Sequence, residues 1–151
     1  MKAPANFIVS PRWIIPVVPK NKLLENHSLV VQAGKIIEIL PSVEATEKYQ
    51  GLPKYELKDH LLIPGLINMH GHAAMTLLRG YADDLPLMQW LEGEIWPAES
   101  KWVDAEFVKD GTLLAIAEML MSGTTSFTDQ YFFPEAAAEA ALESGMRAHI
   151  G

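Results

Sequence analysis

Residues 64–72 read Pro-Gly-Leu-Ile-Asn-Met-His-Gly-His, a short apolar run that ends in two histidines separated by one residue. Successive side chains of a β-strand point to opposite faces, so His70 and His72 are expected to project from the same face. Two neutral imidazoles on one rigid element are typical ligands of catalytic zinc. Because such a pair also arises by chance, its context matters: the apolar residues predict a buried strand, and Gly71 leaves room for a neighbouring backbone.

The composition indicates a globular protein and argues against several classes of function. Hydrophobic residues make up 49% of the chain, and no apolar run approaches the ~20 residues of a membrane span. The first six residues lack the apolar core of a secretory signal, which predicts a cytoplasmic protein. A net charge of −7, with only 12 lysines and arginines, argues against nucleic acid as the main partner. Because the chain has no cysteine, a metal ion must be held by histidines and carboxylates.

The pattern of apolar residues changes near residue 63 and predicts two domains, 1–62 and 63–151. The first is rich in short β-runs, and two of them, 29–32 and 35–40, are joined by Ala33-Gly34 as in a β-hairpin. The connection over 41–54 is polar and is expected to hold at most a short helical turn.

The second domain alternates strands with helices. Helices are predicted over 85–95, from the N-cap Asp104 to Gly123, and from Pro134 to Gly145, with strands over 124–129 and 146–150. Such β-α-β units form parallel strands with right-handed crossovers. The histidine pair then lies at the C-terminal end of the first strand, where (β/α)8 barrels carry their active sites.

Several further motifs accompany the histidine pair. They are Thr76-Leu77-Leu78-Arg79-Gly80, Asp83-Asp84-Leu85, Trp90-Leu91 and Trp96-Pro97-Ala98-Glu99. With residues 64–72 they resemble the amidohydrolase superfamily, and within it the cytosine/adenosine-type deaminases, most of all the 5-methylthioadenosine/S-adenosylhomocysteine deaminases. The resemblance spans nearly the whole chain. It implies an α/β fold, a (β/α)8 barrel of the TIM type preceded by a small β-rich domain.

The resemblance also implies a reaction. His70 and His72 would hold one divalent ion, zinc or alternatively iron(II), which is completed by a later histidine and an aspartate. Water made nucleophilic by the metal would attack the amine-bearing carbon of a purine nucleoside and release ammonia. The proton-transferring residues of the family are expected beyond residue 151, so no catalytic residue is assigned within this chain. Members of the family are commonly homo-oligomers.

Substrate contacts are expected at two further residues. Taken alone, a glutamate near a helix end is usually a solvated charge. The resemblance instead implies that Glu99 accepts hydrogen bonds from both ribose hydroxyls. Trp90 would form a wall of the purine or thioether pocket, whereas Trp96 is expected to pack in the core.

Two other charged residues are predicted to be structural. Asp129 ends the second predicted barrel strand and is expected to cap the loop that follows it. Arg79 is expected to pair with a nearby carboxylate, Asp83 or Asp84.

Alternative functions stay open. The chain holds three predicted strands of the eight that a barrel needs, which indicates a truncated enzyme. The complete enzyme could also be a triazine or guanine-type amidohydrolase or chlorohydrolase. If the 151 residues are the whole protein, it is expected to be an inactive fragment with an exposed strand edge.

Overall fold

The computed structural model describes residues 6–151 and divides into two compact units, one up to Pro64 and one from Gly65 to Gly151. Residues 1–5, which belong to the stretch used to predict a cytoplasmic protein, lie outside the described residues. Each unit has its own sheet and its own buried apolar cluster. No helix within residues 6–151 is long and apolar enough to cross a membrane.

The first unit is a five-stranded sheet with one short helix. Its elements are β1 (Asn6–Ile14), β2 (Leu24–Glu25), β3 (His27–Gln32), β4 (Lys35–Pro41), α1 (Ser42–Lys48) and β5 (Lys54–Leu62). The strand β1 pairs antiparallel with β2 and β3 and parallel with β5. The predicted hairpin joins β3 to β4, and its turn residues Ala33 and Gly34 have φ angles of 48° and 74°. Two successive positive φ angles are what a two-residue type I′ turn requires.

The second unit alternates strands and helices, as predicted. Its elements are β6 (Leu66–Asn68), a 3-10 helix (Ala73–Leu78), α2 (Leu87–Trp90), a π turn (Leu91–Ile95), α3 (Trp96–Trp102), α4 (Ala105–Met121), β7 (Thr124–Asp129), α5 (Pro134–Ser144) and β8 (Arg147–Ile150). The three strands form a parallel sheet in the order β6-β7-β8. Phe127 on β7 is 2% exposed and belongs to the core that α4 and α5 cover.

Local signals explain where the longest helices begin and end. The side chain of Asp104 accepts a hydrogen bond from the Phe107 amide at 2.8 Å, which caps α4 as predicted. The helix α5 ends at Gly145, whose φ of 74° lies in the left-handed region that glycine tolerates best. Gly111 lets α4 approach the 3-10 helix, because a Cβ there would lie 2.5 Å from the Ala74 carbonyl oxygen.

The first predicted barrel strand is shorter than expected. The strand β6 ends at Asn68, so the prediction that both histidines lie on a strand is wrong. The Asn68 side chain accepts a hydrogen bond from the His70 amide at 3.2 Å, and this local turn competes with continued strand pairing. The prediction of a buried strand is also wrong here, since Leu66 and Ile67 are 53% and 63% exposed.

The helix predicted over 85–95 differs in extent. The helical segment begins at Leu87, passes through the π turn and ends at Trp102. Pro97 lacks an amide hydrogen, and its ring would clash with the carbonyl four residues earlier in a regular α-helix. The wider π turn just before Pro97 relieves this conflict and lets the helix continue.

Candidate active site

The two histidines lie side by side after β6, although they are not on the strand. Their ring centroids are 5.3 Å apart, and the ring planes are inclined by 78°. The Nδ1 atom of His72 lies 2.7 Å from the Gln130 carbonyl oxygen. A carbonyl only accepts hydrogen bonds, so Nδ1 carries the proton and donates it. In the neutral ring the Nε2 lone pair is then free for a ligand.

Asp129 holds the backbone that carries His72. Its side chain is 1% exposed, and Oδ1 accepts a hydrogen bond from the Ala73 amide at 2.7 Å. The Gln130 amide donates a hydrogen bond to the Gly71 carbonyl at 3.2 Å, which is a second contact between the segments that follow β6 and β7. Burial raises the pKa of Asp129, and the hydrogen bond from Ala73 opposes this shift. Asp129 therefore caps the loop after the neighbouring strand β6, rather than the loop after its own strand.

A cavity of about 590 Å³ opens beside this loop. Three of the four predicted site residues line it: His72, Trp90 and Glu99. The fourth, His70, lies beside the His72 ring but does not line the cavity. The remaining wall is mostly apolar and consists of Met75, Leu87, Leu91, Ile95, Trp96, Gln130, Tyr131 and Phe132.

The two tryptophans differ from each other in how they are held. The Trp90 indole donates a hydrogen bond from Nε1 to the Tyr81 carbonyl at 3.2 Å, which fixes the ring at the cavity wall. Trp96 is 48% exposed and lines the same cavity, so the prediction that it packs in the core is wrong. It is the first residue of α3.

Tyr131 is a site residue that the sequence analysis missed. Its hydroxyl donates a hydrogen bond to Glu99 Oε1 at 2.6 Å, and its ring centroid lies 6.3 Å from that of His72. Burial, together with this hydrogen bond, raises the pKa of Tyr131, so the hydroxyl stays a protonated donor at neutral pH. One signal could have found it: Tyr131 follows β7 by two residues, and barrel strands carry functional residues at their C-terminal ends.

Arg79 anchors the 3-10 helix to α4. Its guanidinium donates two hydrogen bonds to the Glu118 carboxylate, at 2.8 and 2.5 Å. The expected pairing with Asp83 or Asp84 is therefore wrong. The packing of the 3-10 helix along α4 brings Glu118 within reach, although it lies 39 residues away in sequence.

The histidine pair fits part of a zinc site. Within residues 6–151, no group of three or more histidine, cysteine or acidic side chains is placed to hold a metal ion. Catalytic zinc usually takes three protein ligands, and His70 and His72 offer two imidazoles. The hydrogen bond from His72 to Gln130 is the kind of outer contact that orients a metal-binding imidazole.

Comparison with known proteins identifies the family. The model of the amidohydrolase family matches residues 61–151, which include the histidine pair and the whole cavity. The chain belongs to the amidohydrolase family. This confirms the resemblance that the motifs of residues 64–99 indicate.

Several of the similar proteins are named as deaminases. This amidohydrolase chain is 60% identical over 149 residues to the 5-methylthioadenosine/S-adenosylhomocysteine deaminase of Saccharophagus degradans, covering 99% of the chain and 33% of that protein. It is 46% identical to the 5'-deoxyadenosine deaminase of Methanosarcina barkeri, covering 97% and 33%. The crystal structure of an adenosine deaminase from Xanthomonas campestris with bound zinc matches with a TM-score of 0.89 and 42% identity, covering 95% and 33%. The chain thus spans about a third of the length of these proteins.

Proposed function

We propose that the whole protein carrying this chain is a metal-dependent aminohydrolase of adenosine-type nucleosides. Its substrates would be 5-methylthioadenosine, S-adenosylhomocysteine or adenosine, with ammonia as a product. Membership of the amidohydrolase family and the deaminases among its relatives support this class of reaction. The observation that carries the proposal is the single cavity in which His72, Trp90 and Glu99 meet.

The proposal includes the architecture of the whole protein. We assign residues 63–151 to the first part of a (β/α)8 barrel, with β6, β7 and β8 as its first three strands. Residues 1–62 would be the N-terminal part of a small β-rich domain. A parallel sheet whose strands follow chain order supports this, because such barrels begin in that way. A cytoplasmic location and a homo-oligomeric state stay predictions.

His70 and His72 would hold one divalent ion, with zinc the first choice and iron(II) the alternative. When bound, such an ion supplies the Lewis acidity that makes water nucleophilic near neutral pH. The Gln130 carbonyl keeps the His72 proton on Nδ1 and so presents Nε2 to the ion. The other metal ligands and the proton-transferring groups are expected outside this chain.

Glu99 would select nucleosides by their ribose. A carboxylate has two acceptor oxygens and about four lone-pair positions, so it can accept from both hydroxyls of a diol. Trp90, fixed by its bond to Tyr81, would pack against the purine. In the reaction, a water oxygen bonds to the amine-bearing carbon and the carbon–nitrogen bond breaks; one water proton leaves with the nitrogen as ammonia, and the other stays on the purine product.

A substitution at Glu99 tests the proposal in the whole protein. Glu99→Gln should lower kcat/KM for 5-methylthioadenosine. The loss should correspond to ~1.5–3 kcal/mol of transition-state stabilisation, the usual contribution of hydrogen bonds to a charged group. The free base adenine lacks ribose hydroxyls, so any turnover of it should change much less. Glu92→Gln is the matched control, because Glu92 is exposed on the same helical segment and does not line the cavity.

Two results would contradict the proposal. An equal loss for nucleoside and free base would mean that Glu99 supports the fold or the metal rather than ribose. Faster turnover of a chlorinated triazine or of guanine than of any adenosine-type nucleoside would favour the alternative amidohydrolase classes.

A further inference from the structure

We propose that Tyr131 is a positioning residue that determines ribose selectivity by fixing the Glu99 carboxylate. The inference rests on the proposed function, because it needs Glu99 to receive the ribose hydroxyls. It adds a residue from another element: Glu99 lies on α3, whereas Tyr131 follows β7.

The hydrogen bond between the two side chains is well placed for this role. The Tyr131 hydroxyl lies 2.6 Å from Glu99 Oε1, a short distance for an O–H donor and a carboxylate. In the part of the chain from Asn6 to Gly151, no second side chain or amide donates to this carboxylate. Tyr131 takes one acceptor position, and about three of the four remain, enough for a diol.

The tyrosine is itself held in place. Its ring packs edge-on against Phe132, with centroids 5.1 Å apart, and lies beside the His72 ring. A glutamate has three rotatable side-chain bonds, and binding a ligand costs the entropy of ordering them. A tyrosine has only two, and here neighbouring rings restrict it. Tyr131 therefore orders Glu99 before a nucleoside arrives, which favours substrate binding more than the chemical step.

The chain offers a matched control. In the first unit, the Tyr49 hydroxyl donates to Glu38 Oε2, also at 2.6 Å, and this pair is likewise partly buried. Removing either hydroxyl deletes a tyrosine–glutamate bond of the same length and leaves the ring in place. Only the bond made by Tyr131 lies at the cavity.

The experiment measures kcat and KM of the whole protein for adenosine and for 2',3'-dideoxyadenosine, which lacks both ribose hydroxyls. In Tyr131→Phe, KM for adenosine should rise by about three- to tenfold, as expected for re-ordering one freed side chain, while kcat changes little. Both constants for the dideoxy analogue should stay near their original values. Tyr49→Phe should leave both substrates unaffected.

A second background separates positioning from a general loss of structure. In Glu99→Ala, which leaves Tyr131 no acceptor to position, adding Tyr131→Phe should cause little further change in the preference for adenosine over its dideoxy analogue. An equal effect of Tyr131→Phe on both substrates, or an undiminished effect in the Glu99→Ala background, would overturn the inference. If Glu99→Ala removes the preference and Tyr131→Phe does not, the inference alone fails. If the wild type deaminates no nucleoside, the proposed function fails.

Discussion

Replacing Gly111 with alanine should loosen the contact between α4 and the 3-10 helix. Gly111 is buried in the middle of α4, and an added Cβ would lie 2.5 Å from the Ala74 carbonyl oxygen and 2.8 Å from its Cα. Both atoms belong to the backbone, so no side-chain rotation can relieve the clash. Either α4 or the 3-10 helix must move.

Two opposing effects set the magnitude. Forcing an extra methyl into a packed interior typically costs ~1–3 kcal/mol, and the short contact with backbone places Gly111→Ala in the upper part of that range. Alanine in a helix interior recovers ~0.8–1.0 kcal/mol relative to glycine. The net expectation is a loss of about 1–2 kcal/mol of unfolding free energy. Because Ala74 follows His72 by two residues, the bound metal per chain should also fall.

Gly93→Ala is the matched control for this substitution. Gly93 is an exposed helical glycine, and an added Cβ there would meet no atom within 4 Å. This variant should be unchanged or more stable by up to ~1 kcal/mol. Urea unfolding of the whole protein, followed by the loss of helical circular dichroism, measures both variants. Equal midpoints for Gly111→Ala and Gly93→Ala would refute the argument from the short contact.

Two further predictions concern metal binding and pH. His70→Ala and His72→Ala should each remove most of the bound metal and nearly all activity, whereas His60→Ala, in the first unit, should do neither. Metal analysis and turnover measurements check this, and near-normal turnover by His72→Ala would rule out the assignment of the metal ligands. The hydrogen bond from Arg79 lowers the pKa of Glu118. This ion pair therefore stabilises the fold at pH values above the ordinary glutamate pKa, and the stabilisation is lost as the pH falls through the lowered pKa. NMR titration should show the Glu118 pKa returning to its ordinary value in Arg79→Met, and an unchanged pKa would contradict the pairing.

Short-range signals made much of the fold predictable. The cap at Asp104, the glycine after α5 and the Ala33-Gly34 turn each act within a few residues, and the structure contains all three. The alternation of strands and helices in the second unit was equally readable, because helical and strand periods differ. From this alternation came the expectation that the histidine pair lies at a strand end.

The remaining features depend on contacts between distant parts of the chain. Asp129 reaches a backbone amide 56 residues away, and Tyr131 reaches a glutamate 32 residues away. No local pattern specifies such partners. For the same reason the sequence predicts a neighbouring carboxylate, rather than Glu118, as the partner of Arg79. The early end of β6 could not be predicted for a different reason. In the sequence, an asparagine that turns the chain cannot be distinguished from one that continues a strand.

The π turn between α2 and α3 changes which residues share a side of the helical segment. In an uninterrupted α-helix each residue advances by about 100°, so Trp90 and Glu99, nine positions apart, would differ by about 900° and point to opposite sides. A single π turn accommodates about one extra residue, which reduces the difference to about 800°, or about 80° around the axis. The turn at Leu91–Ile95 thus shifts the helical register by one residue and brings the indole and the carboxylate to the same side of the segment. Removing one residue from this turn would leave the two side chains at about the same angle in a regular helix, but it would restore the clash between Pro97 and the carbonyl four residues earlier, so the turn meets both requirements at once.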